Sequence, residues 1–177
     1  VVLHYDRLYE KTLAAKLNGK INLSHQHILK DTIQLLPSKM KVFGPKSVLD
    51  TLKAVYTNPL NVNKLDKTYK TYIKPIASSV IKYSENRIKV VIPVELFTEK
   101  TIIVPVNGLN IPDNIDLVTF PNSIKISFFV GMSRYDKITA ENFKAFIDYK
   151  SIINDKNGKQ KIQLSYSVPF IKNVSFE

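Results

Sequence analysis

Arg87–Gly131 reads R-I-K-V-V-I-P-V-E-L-F-T-E-K-T-I-I-V-P-V-N-G-L-N-I-P-D-N-I-D-L-V-T-F-P-N-S-I-K-I-S-F-F-V-G. Its period decides the fold class. Ile124, Ile126, Phe128 and Val130 alternate with Ser123, Lys125 and Ser127, the period of two of a half-buried strand. Val90, Ile92, Val94 and Leu96 share one face of a strand that begins at Ile88, and Pro93 restricts that strand to an edge or a bulge. Ile102, Val104 and Val106 make the next strand, which stops at Asn107-Gly108, a pair that favours a tight turn. Ile111-Pro112-Asp113 is turn chemistry, and Ile115 to Phe120 is extended up to Pro121.

The same texture continues on both sides. Ser133-Arg134-Tyr135-Asp136 has the S-x-x-D form of a capping box and predicts a short helix, with Thr139 capping one more turn. Phe143 to Ile153 reads as extended, Asp155-Lys156-Asn157-Gly158 as a hairpin turn, and Ile162, Leu164, Tyr166 and Val168 as the returning strand. Toward the N-terminus, short extended segments lie around Arg7 to Thr12, and Asn18-Gly19 signals a turn. Lys20 to Lys30 reads as loop or edge strand. Ile33 to Phe43 is extended and broken by Pro37, and Met40 and Val42 alternate there with Lys39 and Lys41. Gly44-Pro45 ends it. Ser47-Val48-Leu49-Asp50 is a second S-x-x-D and predicts a helix to about Val55. Leu60 and Val62 return as a short strand after Asn58-Pro59. Thr68 to Ile73 is a strand rich in Tyr and Thr, ended by Lys74-Pro75. Ser78 to Asn86 is polar and serves as the linker.

The two halves correspond in order. Glu10-Lys11-Thr12 matches Glu99-Lys100-Thr101, and Asn18-Gly19 matches Asn107-Gly108. Pro37-Ser38-Lys39-Met40-Lys41-Val42 matches Pro121-Asn122-Ser123-Ile124-Lys125-Ile126. Gly44 and the Ser47 cap fall near Gly131 and the Ser133 cap. Leu60 and Val62 fall near Ile147 and Tyr149, and Lys74-Pro75 near Val168-Pro169. A shared order of this kind predicts a duplication. The expected fold is therefore mainly β with short helices, in two tandem modules over 1–80 and 81–177.

Composition narrows the function classes. The 177 residues carry a formal net charge of +11. Up to Asn86 there are 14 Lys and Arg against 6 Asp and Glu, and from Arg87 onward 12 against 9. The excess belongs to the first half. It would attract nucleic acid, anionic lipid or an acidic protein. Only Arg7, Arg87 and Arg134 are arginines. Lys lacks the bidentate fork that reads guanine edges, so this balance argues against sequence-specific nucleic-acid binding. With no Cys, disulfides, thiol catalysis and Cys-ligated zinc are excluded. The apolar run Val90 to Val94, with Pro93 inside it, is far short of the ~20 residues of a membrane-spanning helix. No signal-peptide pattern is present. The chain opens on Val1 rather than Met, as a fragment or a processed product would.

No residue pattern here points to catalysis. His25 and His27 would face one way on a strand, but only Asp31 stands near to help them hold a metal. His4 stands alone. Ser24 beside His25 is no triad, because adjacent strand residues point to opposite faces. Glu95 and Glu99 could be paired carboxylates, yet the strand reading puts Glu95 on a polar face and Glu99 in a turn. All five glycines are isolated, so no phosphate-cradling loop exists. Tyr69-Lys70-Thr71-Tyr72-Ile73-Lys74 interleaves aromatics with Lys, which would suit a stacking platform for single-stranded nucleic acid, although strand tyrosines more often pack on a core or a neighbouring strand. The reading is a non-enzyme with no catalytic, cofactor-binding or metal residues and no cofactor.

Val94 to Val106, then Asn110-Ile111-Pro112, Phe120-Pro121, Ile138, Phe143 and Ile147-Asp148-Tyr149, resemble a YbbR-type repeat. Pro37 to Pro45 and Val55-Tyr56-Thr57 are similar to the preceding repeat of such proteins, in particular YbbR-like proteins of the Bacteroidetes. The resemblance covers the whole chain. It implies β-rich modules arranged in tandem outside the cytoplasmic membrane, behind an N-terminal membrane helix absent from this chain. Family members studied as CdaR regulate a membrane diadenylate cyclase, and so the cyclic di-AMP level, by protein contact. The implied role is a regulatory protein-interaction module in the cell envelope, with such a cyclase as partner. The alternatives are a basic RNA-associated β domain and a structural envelope spacer.

Overall fold

The computed structural model describes residues 8–153 and 160–177. Contacts divide the chain into two units, Val1–Glu95 and Leu96–Glu177. His4, Arg7 and the expected turn at Asp155 to Gly158 lie outside the described residues. The elements are strands and short helices, so the chain is mainly β.

In the first unit β1 (Tyr9–Lys16) is one eight-residue strand. It pairs antiparallel with β5 (Lys39–Gly44), placing Leu13 opposite Met40. Its other edge pairs in parallel with β6 (Val55–Tyr56), and β5 pairs antiparallel with β9 (Lys82–Tyr83). Met40 and Val42 are buried while Lys39 and Lys41 face solvent, as the alternation requires. The helix α1 (Lys46–Thr51) follows β5 and buries Leu49. Its N-cap is Pro45 with no side-chain cap bond, so Ser47 lies inside the helix and the expected capping box does not form. The helix also stops short of Val55. Its far end is held by Lys11, whose ammonium donates to the Leu49 carbonyl at 2.7 Å and the Leu52 carbonyl at 3.0 Å. A cation against the last free carbonyls is favourable there.

A second sheet of this unit has the order β4 (Gln34–Leu36), β10 (Ile88–Ile92), β8 (Tyr69–Ile73). β10 is central, not an edge. Pro93 is no obstacle because it falls just past the last ladder residue, Ile92. β2 (Ile21–Leu23) and β7 (Val62–Leu65) form a parallel pair, and β3 (His27–Leu29) lies between β2 and β4 in sequence. Ile88 packs with Leu13, Met40, Val42, Leu49 and Ile81. Val90 and Ile92 pack with Leu65 and Val94. The stretch from Ser78 to Asn86 is therefore not a linker: Ile81 is core and β9 is laddered. The division falls between Glu95 and Leu96, within β11 (Val94–Leu109), rather than at 80/81.

In the second unit β11 pairs antiparallel with β12 (Ser123–Gly131) and in parallel with β13 (Phe143–Asp148). β13 takes β14 (Gln163–Tyr166) and β12 takes β15 (Ile171–Phe176), both antiparallel. Ile124, Ile126, Phe128 and Val130 are buried, and the Phe128 and Phe143 rings lie 5.1 Å apart. Asn107-Gly108 makes no turn. β11 runs through it, with Asn107 opposite Phe146 and Gly108 opposite Ile147. Glycine serves close approach here, since a Cβ on Gly108 would lie 2.3 Å from Ile111 Cδ1. Ile115 to Phe120 joins no ladder among the described residues. A six-residue 3-10 helix, Met132–Lys137, follows β12; its N-cap is Gly131, so Ser133 lies inside the helix. Thr139 does cap: its N–H donates to Asn142 Oδ1 at 2.9 Å, opening a 3-10 turn over Ala140–Asn142. The extended reading of Phe143 to Ile153 holds only to Asp148. Tyr149–Ile153 is the short helix α2.

The strand order β6-β1-β5-β9 recurs as β13-β11-β12-β15. Registers recur with it. Ala15 faces Val55 as Val106 faces Ala145. Leu13 faces Met40 as Val104 faces Ile124, and Val42 faces Tyr83 as Ile126 faces Phe176. Leu36–Pro37 and Phe120–Pro121 are both cis. Lys100 also donates from its ammonium to the Tyr135 carbonyl of the second short helix, although the registers set Ile102, not Lys100, at the place of Lys11. Three sequence matches do not survive. Glu10-Lys11-Thr12 lies two residues out of register with Glu99-Lys100-Thr101, since Lys11 faces Val42 as Ile102 faces Ile126. Asn18-Gly19 bends whereas Asn107-Gly108 continues a strand, and Val55-Tyr56, not Leu60 and Val62, is the counterpart of β13.

Candidate functional site

The histidine pair does not form a ligand set. Gln26 between them has φ +59°, so His25 and His27 are not on one strand, and β3 begins only at His27. His27 Nδ1 sits 2.7 Å from the His25 carbonyl. Asp31 accepts the Thr32 N–H at 2.7 Å. Among the described residues no group of three or more His, Cys, Asp or Glu could hold a metal. Glu99 lies in the ladder opposite Phe129, not in a turn. Among the described residues no helix is long and apolar enough to cross a membrane.

The six-residue Tyr–Lys stretch is split by the pleat. Tyr69 packs on the β10 core, whereas Lys70, Tyr72 and Lys74 face outward. Tyr72 is 63% exposed. The ladder then adds residues distant in sequence. Lys89 lies opposite both Tyr72 and Leu36, and Val91 opposite both Lys70 and Gln34. The Arg87 guanidinium stands 5.7 Å from the Tyr72 ring centroid, within cation–π range. The outward rows Leu36–Lys89–Tyr72 and Gln34–Val91–Lys70 contain no carboxylate. Glu85 lies off this sheet, in a cleft it lines with Lys74 and Lys82. Tyr83 is a structural neighbour: its hydroxyl donates to the Ile76 carbonyl at 3.0 Å, and burial raises its pKa.

This face can grip an extended ligand through an aromatic ring, Leu36 and three or four cations. Lys89 and Arg87 were missed as members because the alternation of Ile88, Val90 and Ile92 was read only for its apolar side. The polar side of the same alternation was the available signal.

No family model matches the chain, and no curated protein does. Among solved structures, the chain is similar to a YbbR-like protein from Streptococcus pneumoniae TIGR4, over 100% of this chain and 99% of that chain, at 11% identity and a TM-score of 0.40.

Proposed function

We propose that the chain is a non-enzymatic, YbbR-like protein-interaction module, carried on the extracytoplasmic side of the cytoplasmic membrane by a membrane-anchored protein. Its role is regulatory, and the partner is a membrane protein such as a diadenylate cyclase whose output sets the cyclic di-AMP level. The observation that supports an interaction role is the outward sheet face, where Tyr72, Arg87, Lys89, Lys70 and Leu36 converge from three strands without a carboxylate. Exposed aromatic and Arg groups are the residues that anchor protein contacts. The sequence resemblance at Val94 to Val106 and Pro37 to Pro45 supports the family, and with it the envelope location and the cyclase.

Cross-linking and pull-down from cells that express the gene with its natural N-terminus tests this. The wild type should recover a membrane partner that Tyr72→Ala with Lys89→Glu does not. Deleting the gene should shift cyclic di-AMP. Recovery of cytosolic partners alone would refute the location, and an unchanged nucleotide level would leave a structural spacer. The Tyr72–Arg87 stack also favours a second reading, single-stranded RNA on the same face. Binding would then weaken steeply with salt, and its absence at low salt removes that reading.

A further inference from the structure

Residues 117–120 hold the place in the second unit that 33–36 holds in the first. Each segment leads into a cis proline and then into the strand beside the long central one. Burial alternates identically. Ile33 and Leu35 are half-buried with Gln34 and Leu36 exposed, and Leu117 and Thr119 are half-buried with Val118 and Phe120 exposed. The neighbours differ. In the first unit β4 is covered by β10, with Leu35 opposite Val90 and Leu36 opposite Lys89. In the second, among the described residues, 117–120 pairs with no strand. Phe120 is 94% exposed and Val118 73%. A cleft of about 280 Å³ opens beside the segment, lined by Leu117, Thr119, Ile147, Ile152 and Ile162. In the first unit the matching side chains, Ile33 and Leu35, pack on the cluster that holds Val90 and Ile92 of β10.

We propose that this groove binds an extended polypeptide strand of β10's character, apolar at alternate positions and basic between them, which pairs antiparallel with 117–120. Main-chain pairing at an open edge supplies affinity, and the pocket selects alternate side chains. Charge selects the basic residues. The lining contains no Lys or Arg, and the segment 110–121 carries Asp113 and Asp116 and no base. β10 brings Lys89, and Arg87 stands just before it. The two aspartates that lead into the edge favour a cationic strand over an acidic one. The inference does not depend on the envelope reading.

The test is a labelled peptide of the sequence Asn86 to Val94, titrated into the full chain at low salt by fluorescence anisotropy, with amide exchange read in parallel. Saturable binding with slowed exchange at 117–120 is expected. A peptide of the same composition with its alternation scrambled should bind at least about tenfold more weakly. Thr119→Pro should abolish binding with the circular dichroism unchanged. Asp113→Lys with Asp116→Lys, both on the exposed loop, should weaken binding even if the proline variant unfolds. No binding, equal binding of the scrambled peptide, or protection only at another strand would overturn the proposal.

Discussion

Gly19→Ala should cost the first unit a large share of its stability. Gly19 has φ +136°, a conformation that L side chains rarely adopt. A Cβ there would also lie 2.0 Å from the Leu60 carbonyl oxygen and 2.7 Å from the Leu60 nitrogen. Both are backbone atoms, so no rotamer change relieves the overlap. The segments 18–20 and 60–62 are joined at this point. The Leu60 N–H donates to the Asn18 carbonyl at 2.8 Å, and the Val62 N–H to the Lys20 carbonyl at 3.0 Å. Separating them enough to admit a methyl group breaks both bonds. Backbone strain costs roughly 1–3 kcal/mol, and each lost bond roughly 1 kcal/mol. The total is about 3–5 kcal/mol, against roughly 5–15 kcal/mol for a whole domain. Urea unfolding followed by circular dichroism measures it. At a slope of roughly 2 kcal/mol per molar, the midpoint of the first unit should fall by about 1.5–2.5 M. Amide exchange at Leu60 and Val62 should accelerate first. Gly108→Ala is the control, because its new Cβ meets the side-chain ends of Ile111 and Leu117. Those can yield, so the cost should be nearer 1 kcal/mol. A Gly19→Ala midpoint no lower than that of Gly108→Ala would refute the reasoning.

Phe128→Ala should destabilise the second unit by roughly 3–5 kcal/mol, since the ring is 1% exposed and stacked near Phe143; unfolding monitored by circular dichroism checks it, and a cost under about 1 kcal/mol would contradict the packing. Thr57→Val should cost roughly 1–3 kcal/mol, because the fully buried Thr57 Oγ1 accepts the Asn18 N–H at 3.0 Å and valine leaves that donor unpaired; Thr57→Ser, which keeps the acceptor, should cost less. Asp148 should titrate below the ordinary aspartate range, held down first by the Asn110 side-chain amide and then by the Lys150 N–H. Its folded pKa is the lower one, so its contribution is full above the unfolded value near ~3.9 and is lost as pH falls through the folded value. A carboxyl NMR titration reads this directly, and a midpoint at or above the ordinary value would count against it.

What was legible in the sequence followed from local physics. The alternation of Ile124 to Val130, and of Met40 and Val42 with Lys39 and Lys41, sets which face of β12 and β5 is buried, because side chains alternate across a strand whatever its partners. The duplicated order of motifs showed for the same reason. Residues that do the same local job recur in the same order, as Met40 and Val42 do in Ile124 and Ile126. Thr139 was legible as a cap because its partner, Asn142, is three residues away.

What only the tertiary structure decided depends on partners far along the chain. Asn107-Gly108 has turn chemistry, but β13 offers β11 a parallel ladder there, and pairing outweighs the local preference. β10 reads as the start of the second module, yet β4 and β8 flank it on both sides and make it the centre of the first unit's second sheet. β15 showed no period of two because Asn173 at φ +49° and a register shift opposite Ser127 and Phe129 break its alternation. The outward face of Tyr72, Arg87, Lys89 and Leu36 draws on three strands, and the groove beside Phe120 on residues 117 to 162. Period is a property of a segment, whereas a neighbour is a property of the fold, and both surfaces are made of neighbours.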